Sequence, residues 1–206
     1  MYDVVPRSTA LMVLDITPVT VPEFGGDPEL LKRLAAVSEF SRQAGCRVVY
    51  TRVAFRPGYP EVSASNKVFT HVVQHYDFLE NSDSTRIHPS LTVAPTDKVV
   101  TKRRVSAFHG TDLELFLRSA GITHLVLAGV TTSGVVLSTL RQAADLDFRL
   151  TVLSDCCADR DDFVHQVLLE HVFPAHAAVI ASEEWMSRCR RLWSAESDLN
   201  SQTLPQ

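Results

Sequence analysis

A chain of 206 residues, 45% hydrophobic and 21% charged, is long enough to enclose one large core and reads as a single domain over residues 1–206. Its 20 Lys and Arg against 24 Asp and Glu leave a formal net charge of −4 with no basic run, so the composition gives no footing for nucleic acid. The opening MYDVVPRSTALMVLD has no basic-then-apolar leader, and no apolar run approaches the roughly 18 residues of a membrane span, so neither a secretory signal nor a span is expected.

The first aliphatic run, ALMVLDI (Ala10–Ile16), reads as a strand. Asp27-Pro28 then opens a helix as N-cap and first helical residue, and Gly45 closes it. CRVVYTR (Cys46–Arg52) is the second strand. The stretch from Val53 to Thr96 is too long for an ordinary connector, and its Phe55, Tyr59, Phe69, Tyr76 and Phe78 are too apolar for a free loop. It is expected to be a lid, an oligomer contact, or both, which predicts a homodimer or homotetramer. DKVVTK (Asp97–Lys102) is the third strand; Thr111 with Glu114 then suggests a capping box for a helix with Leu113, Phe116, Leu117 and Ala120 on its apolar face, stopped by Gly121. HLVLAGV (His124–Val130) is the fourth strand, and Thr132 or Ser133 is expected to cap the helix after it. RLTVLS (Arg149–Ser154) and AAVIAS (Ala177–Ser182) complete the strands, with Asp161 or Asp162 capping the helix between them. Ser182 is expected to cap a last helix through Trp193, and the polar tail beyond it to be loosely ordered.

Continuous aliphatic runs alternating with amphipathic helices predict an α/β protein: a parallel, doubly wound sheet with helices on both faces. In such sheets ligands sit beyond the carboxyl ends of the strands, where the strand order reverses. Asp15, Arg52, Lys102 and Thr131-Thr132-Ser133 follow the first four strands. Singly they could order a loop, meet solvent or cap a helix. Together they place an acid, two cations and a helix-opening turn at one small-molecule site. The 4 cysteines (Cys46, Cys156, Cys157, Cys189) show no CxxC or CxxH spacing, which reads as reduced thiols in a cytoplasmic protein.

The segments "ALMVLDIT", "VVTKRRVSAFHGTDLELFLRSAGI" and "HLVLAGVTTSGVVLSTLRQAADLDFRLTVLSDCCAD" together resemble the isochorismatase-like (cysteine hydrolase) superfamily, from Ala10 to Ser182. The resemblance implies a six-stranded parallel sheet and a hydrolase with an Asp–Lys–Cys trio. Asp15 and Lys102 match the acid and the lysine. The cysteine of the pattern G-V-x-T-x-x-C-V, laid over Gly129 to Val136, falls on Val135. Valine has no lone pair, so thiolate attack and a thioester are closed to that position. The resemblance also implies a non-proline cis peptide at Val130-Thr131, and substrate contacts from Thr17, Arg52, Val130, Thr131, Thr132, Ser133 and Val135.

Other departures narrow the reading. Where relatives place metal-binding histidines, this chain reads TRVAFRPGYPE. His71 and His75, spaced i, i+4, have no accompanying carboxylate, so no metal and no other cofactor is expected. Asp15-Ile16-Thr17 stands where many relatives have Asp-x-Gln.

Isochorismatases proper resemble this chain in lacking the cysteine. They cleave a vinyl ether by protonation, which would make Asp15 a general acid with a pKa raised from about 3.9. An apolar wall at Val135 would raise it, and Lys102 would oppose the rise. Arg52, Arg56 and Lys102 predict an anionic substrate; alternation would put Arg104 on the side of Lys102 and Arg103 opposite, though these two read more simply as solvated. Three function classes follow: a hydrolase of a small metabolite using Asp15, an inactive relative that binds a small molecule or protein, and an amide hydrolase whose nucleophile is displaced to Thr132, Ser133, Cys156 or Cys157.

Overall fold

The computed structural model describes residues 5–191. The tail beyond Trp193 and the expected end of the last helix at Trp193 lie outside the described residues. The aliphatic runs become β1 (Thr9–Leu14), β2 (Arg47–Val53), β3 (Lys98–Lys102), β4 (His124–Val130), β5 (Arg149–Ala158) and β6 (Ala178–Ile180). They form one six-stranded parallel sheet in the order β3-β2-β1-β4-β5-β6. β5 continues past Ser154 to Ala158.

The helices are α1 (Thr20–Glu23), α2 (Pro28–Gln43), α3 (Lys67–His75), α4 (Leu113–Ser119), α5 (Leu137–Asp145) and α6 (Asp162–Val167), with a further helix over residues 182–191. Alternation along β1 divides the core between the two faces of the sheet. Ala10, Met12 and Leu14 pack with Leu113, Leu117 and Leu140 on one side. Leu11 and Val13 pack with Leu30, Leu34 and Trp185 on the other. Among the described residues no helix is long and apolar enough to cross a membrane.

Asp27 caps α2 as its sequence suggests, accepting from the Leu30 amide at 2.6 Å. Three other caps are built differently. α4 begins at Leu113 behind Asp112; the Thr111 hydroxyl accepts from the Leu113 amide at 3.3 Å and donates to the Ala107 carbonyl at 2.8 Å, but no bond returns from Glu114, so the reciprocal Thr111–Glu114 box is not formed. Neither Thr132 nor Ser133 caps the helix after β4. A π-helical turn, Thr132–Val136, leads into α5, and the Ser133 amide is held from outside by Asp159 Oδ2 at 2.7 Å. Ser182 gives its amide and hydroxyl to Asp155 at 2.7 and 2.6 Å instead of capping with its own oxygen.

The Val53–Thr96 stretch is structured. It contains α3 and a 3-10 turn, Asp83–Thr85, and a bridge joins Phe55 to Leu79. Phe55, Phe69 and Phe78 bury one another, with the Phe55 and Phe69 rings 5.3 Å apart, above the carboxyl end of the sheet. These three aromatics are covered within the chain, while Tyr59 and Tyr76 of the same segment are partly exposed.

Candidate active site

Strand order turns outward in both directions from β1 and β4, which puts their carboxyl ends at the switch point of the sheet. Asp15 follows Leu14 directly with φ 55, a left-handed conformation that aspartate tolerates. Its amide returns to the Thr51 carbonyl at 3.1 Å. On the other side, Gly129 (φ 148) brings β4 so close that an added Cβ would lie 2.2 Å from the Leu14 carbonyl oxygen. Backbone contact at Gly129 therefore sets the separation of β1 and β4 beneath the site. The Val130–Thr131 peptide bond is cis.

Lys102, at the end of β3, reaches across to Asp15. Its Nζ lies 2.6 Å from Asp15 Oδ2 and donates to the carbonyls of Arg104 at 3.1 Å and Val105 at 2.9 Å. Thr51 donates its hydroxyl to Asp15 Oδ1 at 2.7 Å. Both charged side chains are enclosed, with Lys102 1% and Asp15 4% exposed. Burial pushes the Lys102 pKa down, and the charge of Asp15 with its hydrogen bond pulls it back up. The geometry favours the charged form: three oxygens surround Nζ, and only an ammonium has three protons to give them. Asp15, accepting from Lys102 and Thr51, is then a carboxylate.

Above this pair lies a cavity of about 140 Å³. Asp15, Lys102, Val130, Thr131 and Val135 line it, so the structure brings together five of the residues singled out in the sequence. The others do not line it. Thr17 is buried and spends its hydroxyl on Thr20 at 2.9 Å. Arg52 points away because alternation along β2 turns Val53 inward instead. Its Nε donates to Thr101 at 3.0 Å and its Nη1 to the Glu80 and Thr85 carbonyls. Thr132 faces the back of its turn, 2.8 Å from His165 Nδ1, and Ser133 is on the exterior.

The remaining cations are likewise engaged elsewhere. Arg103 pairs with Glu80 and Glu61 at 2.8 Å each, and Arg56 also pairs with Glu61. Arg104 donates to the Glu61 carbonyl at 3.2 Å. Arg56 and Arg103 are thus paired with glutamates, Arg52 and Arg104 are held by backbone carbonyls, and none of the four lines the cavity. Phe69 and Phe78 reach the cavity from the segment expected as a lid, and the lining residues that the sequence reading did not single out are Thr20, Phe24, Val53, Val68, Val72, Val105 and Gly134. The period-2 alternation of β2 would have picked out Val53 over Arg52. The α3 residues carried only the general signal of a long apolar insertion.

The displaced-nucleophile candidates fare poorly. Burial raises the Cys156 thiol to about 12 and drives that of Cys157 higher still, and neither lines this cavity. His71 and His75 stack with ring centroids 4.2 Å apart, and His75 Nδ1 is 2.8 Å from the His71 carbonyl. Among the described residues no group of three or more His, Cys, Asp or Glu is placed to hold a metal ion.

A comparison with family models matches the isochorismatase domain over residues 9–184. An uncharacterised isochorismatase family protein of Escherichia coli O157:H7, YecD, is 31% identical over 89% of this chain and 97% of its own. The maleamate amidohydrolase of Pseudomonas putida is 24% identical over 90% of this chain and 89% of its own. Among solved structures, a cysteine hydrolase from Pseudomonas syringae pv. phaseolicola superimposes with a TM-score of 0.84 at 19% identity, covering 93% of this chain and 96% of that one.

Proposed function

Because the chain belongs to the isochorismatase family, a family of hydrolases, we propose that it hydrolyses a small metabolite with Asp15 as general base and without a cysteine nucleophile. The observation that carries this reading is the position of Val135, which lines the cavity with Asp15 and Lys102 where the family pattern has its cysteine. Water takes the role of the missing thiol. Asp15 removes a proton from a water in the cavity as its oxygen bonds to the electrophilic carbon of the substrate. When the bond to the leaving group breaks, the same carboxyl returns the proton to that group. Lys102 holds Asp15 ionised and in place throughout.

This assignment favours the base over the vinyl-ether acid. Protonating an enol-ether carbon requires a neutral Asp15, and a carboxyl already accepting from an ammonium at 2.6 Å and a hydroxyl at 2.7 Å is set up as the anion. A substrate carboxylate such as that of maleamate would find no lining cation with an uncommitted proton, because all three of Lys102 are in use.

The test is a screen of small amides and esters, followed by a chemical check on any turnover found. Hydrolysis should survive alkylation of the native thiols, show no covalent adduct by intact mass spectrometry, and fall at least a hundredfold in Asp15→Asn, within the range of about 10²–10⁴ expected of general base catalysis. An acyl adduct, or loss of activity on alkylation, would return the role to a protein nucleophile.

A further inference from the structure

On the premise of the hydrolase reading, water replaces the thiol, and the chain must hold that water beside Asp15. The polar side chains lining the cavity are Asp15, Thr20, Lys102 and Thr131. Thr20 donates its hydroxyl to the Asp15 carbonyl and accepts from the Thr17 amide at 3.0 Å. The three protons of Lys102 go to Asp15, Arg104 and Val105. The Thr131 hydroxyl is different: among the described residues nothing is hydrogen-bonded to it.

The turn after β4 fixes where that hydroxyl stands. The Thr131 carbonyl accepts from the amides of Gly134 at 3.2 Å and Val136 at 3.1 Å, which ties residue 131 to the residues that follow it. A Cβ added at Gly134 would lie 2.4 Å from Thr131 Oγ1, so the hydroxyl occupies the space where a side chain at 134 would begin. Thr131, Gly134 and Val135 share the cavity wall with Asp15. The side chain at 135 is hydrocarbon, and the oxygen next to it on the turn is that of Thr131.

A bound water needs two or more polar partners. Asp15 accepts once at each carboxylate oxygen, from Thr51 and from Lys102, and a carboxylate has about four acceptor sites, so it can accept again. A hydroxyl has two lone pairs and can accept the second proton of the same water. With both protons engaged, a lone pair of the water oxygen is left to face the substrate. A cavity of about 140 Å³ has room for a water of about 30 Å³ and the scissile group beside it.

We propose that Thr131 is a catalytic residue of this chain, its hydroxyl accepting one proton of the attacking water while the Asp15 carboxylate accepts the other. As the water oxygen bonds to the substrate carbon, the second of these protons passes to Asp15. The first stays on the oxygen, still bonded to Thr131. Gly134 leaves the hydroxyl its place.

Crystal structures of the full chain and three variants, at a resolution that shows ordered water, are the test. The native chain should hold a water within hydrogen-bond distance of both Thr131 Oγ1 and an Asp15 carboxylate oxygen. Thr131→Val keeps the shape and should lose that water, and Thr131→Ser should keep it. Gly134→Ala retains the hydroxyl but takes its space, and should displace the water even if Thr131→Val does not fold. A native water bound to Asp15 without Thr131, or one that stays in Thr131→Val, would overturn the proposal. On any substrate found by the amide and ester screen, Thr131→Val should lower kcat about tenfold, the rate worth of one hydrogen bond, with KM nearly unchanged. Thr131→Ser should restore the rate. An unchanged kcat in Thr131→Val sinks this inference and leaves the hydrolase reading standing. A bridging water in a chain that turns over nothing sinks the hydrolase reading and leaves the water site.

Discussion

Thr51 and Asp15 are joined three times: the Asp15 amide donates to the Thr51 carbonyl at 3.1 Å and to the Thr51 hydroxyl at 3.2 Å, and that hydroxyl donates to Asp15 Oδ1 at 2.7 Å. The backbone contact survives any substitution, so the hydroxyl can be tested alone. Thr51→Val keeps the shape and should cost about 1.5–3 kcal/mol, the worth of a hydrogen bond to a charged group. Thr51→Ser should recover most of it. Urea denaturation of the three proteins measures the difference, and an unchanged Thr51→Val midpoint would show that the bond does not hold the carboxylate.

Removing either member of the Asp15–Lys102 pair strands the other in a buried site. Asp15→Asn and Lys102→Met should each lose about 3–5 kcal/mol of stability. The double variant should lose clearly less than the sum, because neither charge is left behind. A strictly additive double variant would mean that the two groups do not interact.

His124 lies at the other end of β4, buried between Thr9 at 3.3 Å and Thr151 at 3.0 Å. Burial, with a smaller contribution from Arg149, lowers its pKa from 6.5 to about 4. The sign follows from proton uptake: between those values the unfolded chain binds the proton and the folded chain does not, so stability falls as pH falls. The loss between pH 6.5 and about 4 is on the order of 3 kcal/mol. His124→Gln should flatten that part of the stability–pH curve, and an unchanged slope would reassign it to other groups.

Val135→Cys tests the proposal that position 135 stands where the family pattern has its cysteine. Burial raises the pKa of the native thiols, Cys46 to about 12 and Cys189 to about 11, so the folded chain should react slowly with iodoacetamide. The new thiol lines the cavity and should label at least tenfold faster than the native four. Equal rates would argue that position 135 does not face the site.

Much of this architecture was legible because strands buried on both faces announce themselves as unbroken aliphatic runs. His124–Val130 became β4 without a residue's change. Asp15 and Lys102 could be placed because each sits at a strand end, and Val135 because the resemblance to the family laid its pattern over Gly129 to Val136. What failed was long-range or directional. The partner of the Ser133 amide is Asp159, and that of Ser182 is Asp155, each 26 or more residues away and invisible to any local capping rule. Arg52 was placed at the correct end of β2, but one position off in the alternation that decides which side chain turns inward. Glu61 and Glu80, which draw Arg103 away, lie in an insertion whose path no periodicity predicted.

The mutual neutralisation of Lys102 and Asp15 also governs how a ligand arrives. At a separation of 2.6 Å the two charges act at a distance as a dipole, whose field fades much faster than that of a lone ion. Ions in solution shorten its reach further, to within a Debye length of about 8 Å at 0.15 M salt. The pair itself therefore exerts little pull on a charged molecule from afar, and an uncharged one finds the cavity by unassisted diffusion. Rates of encounter should stay level as ionic strength rises, in contrast to the steep decline of an electrostatically steered enzyme.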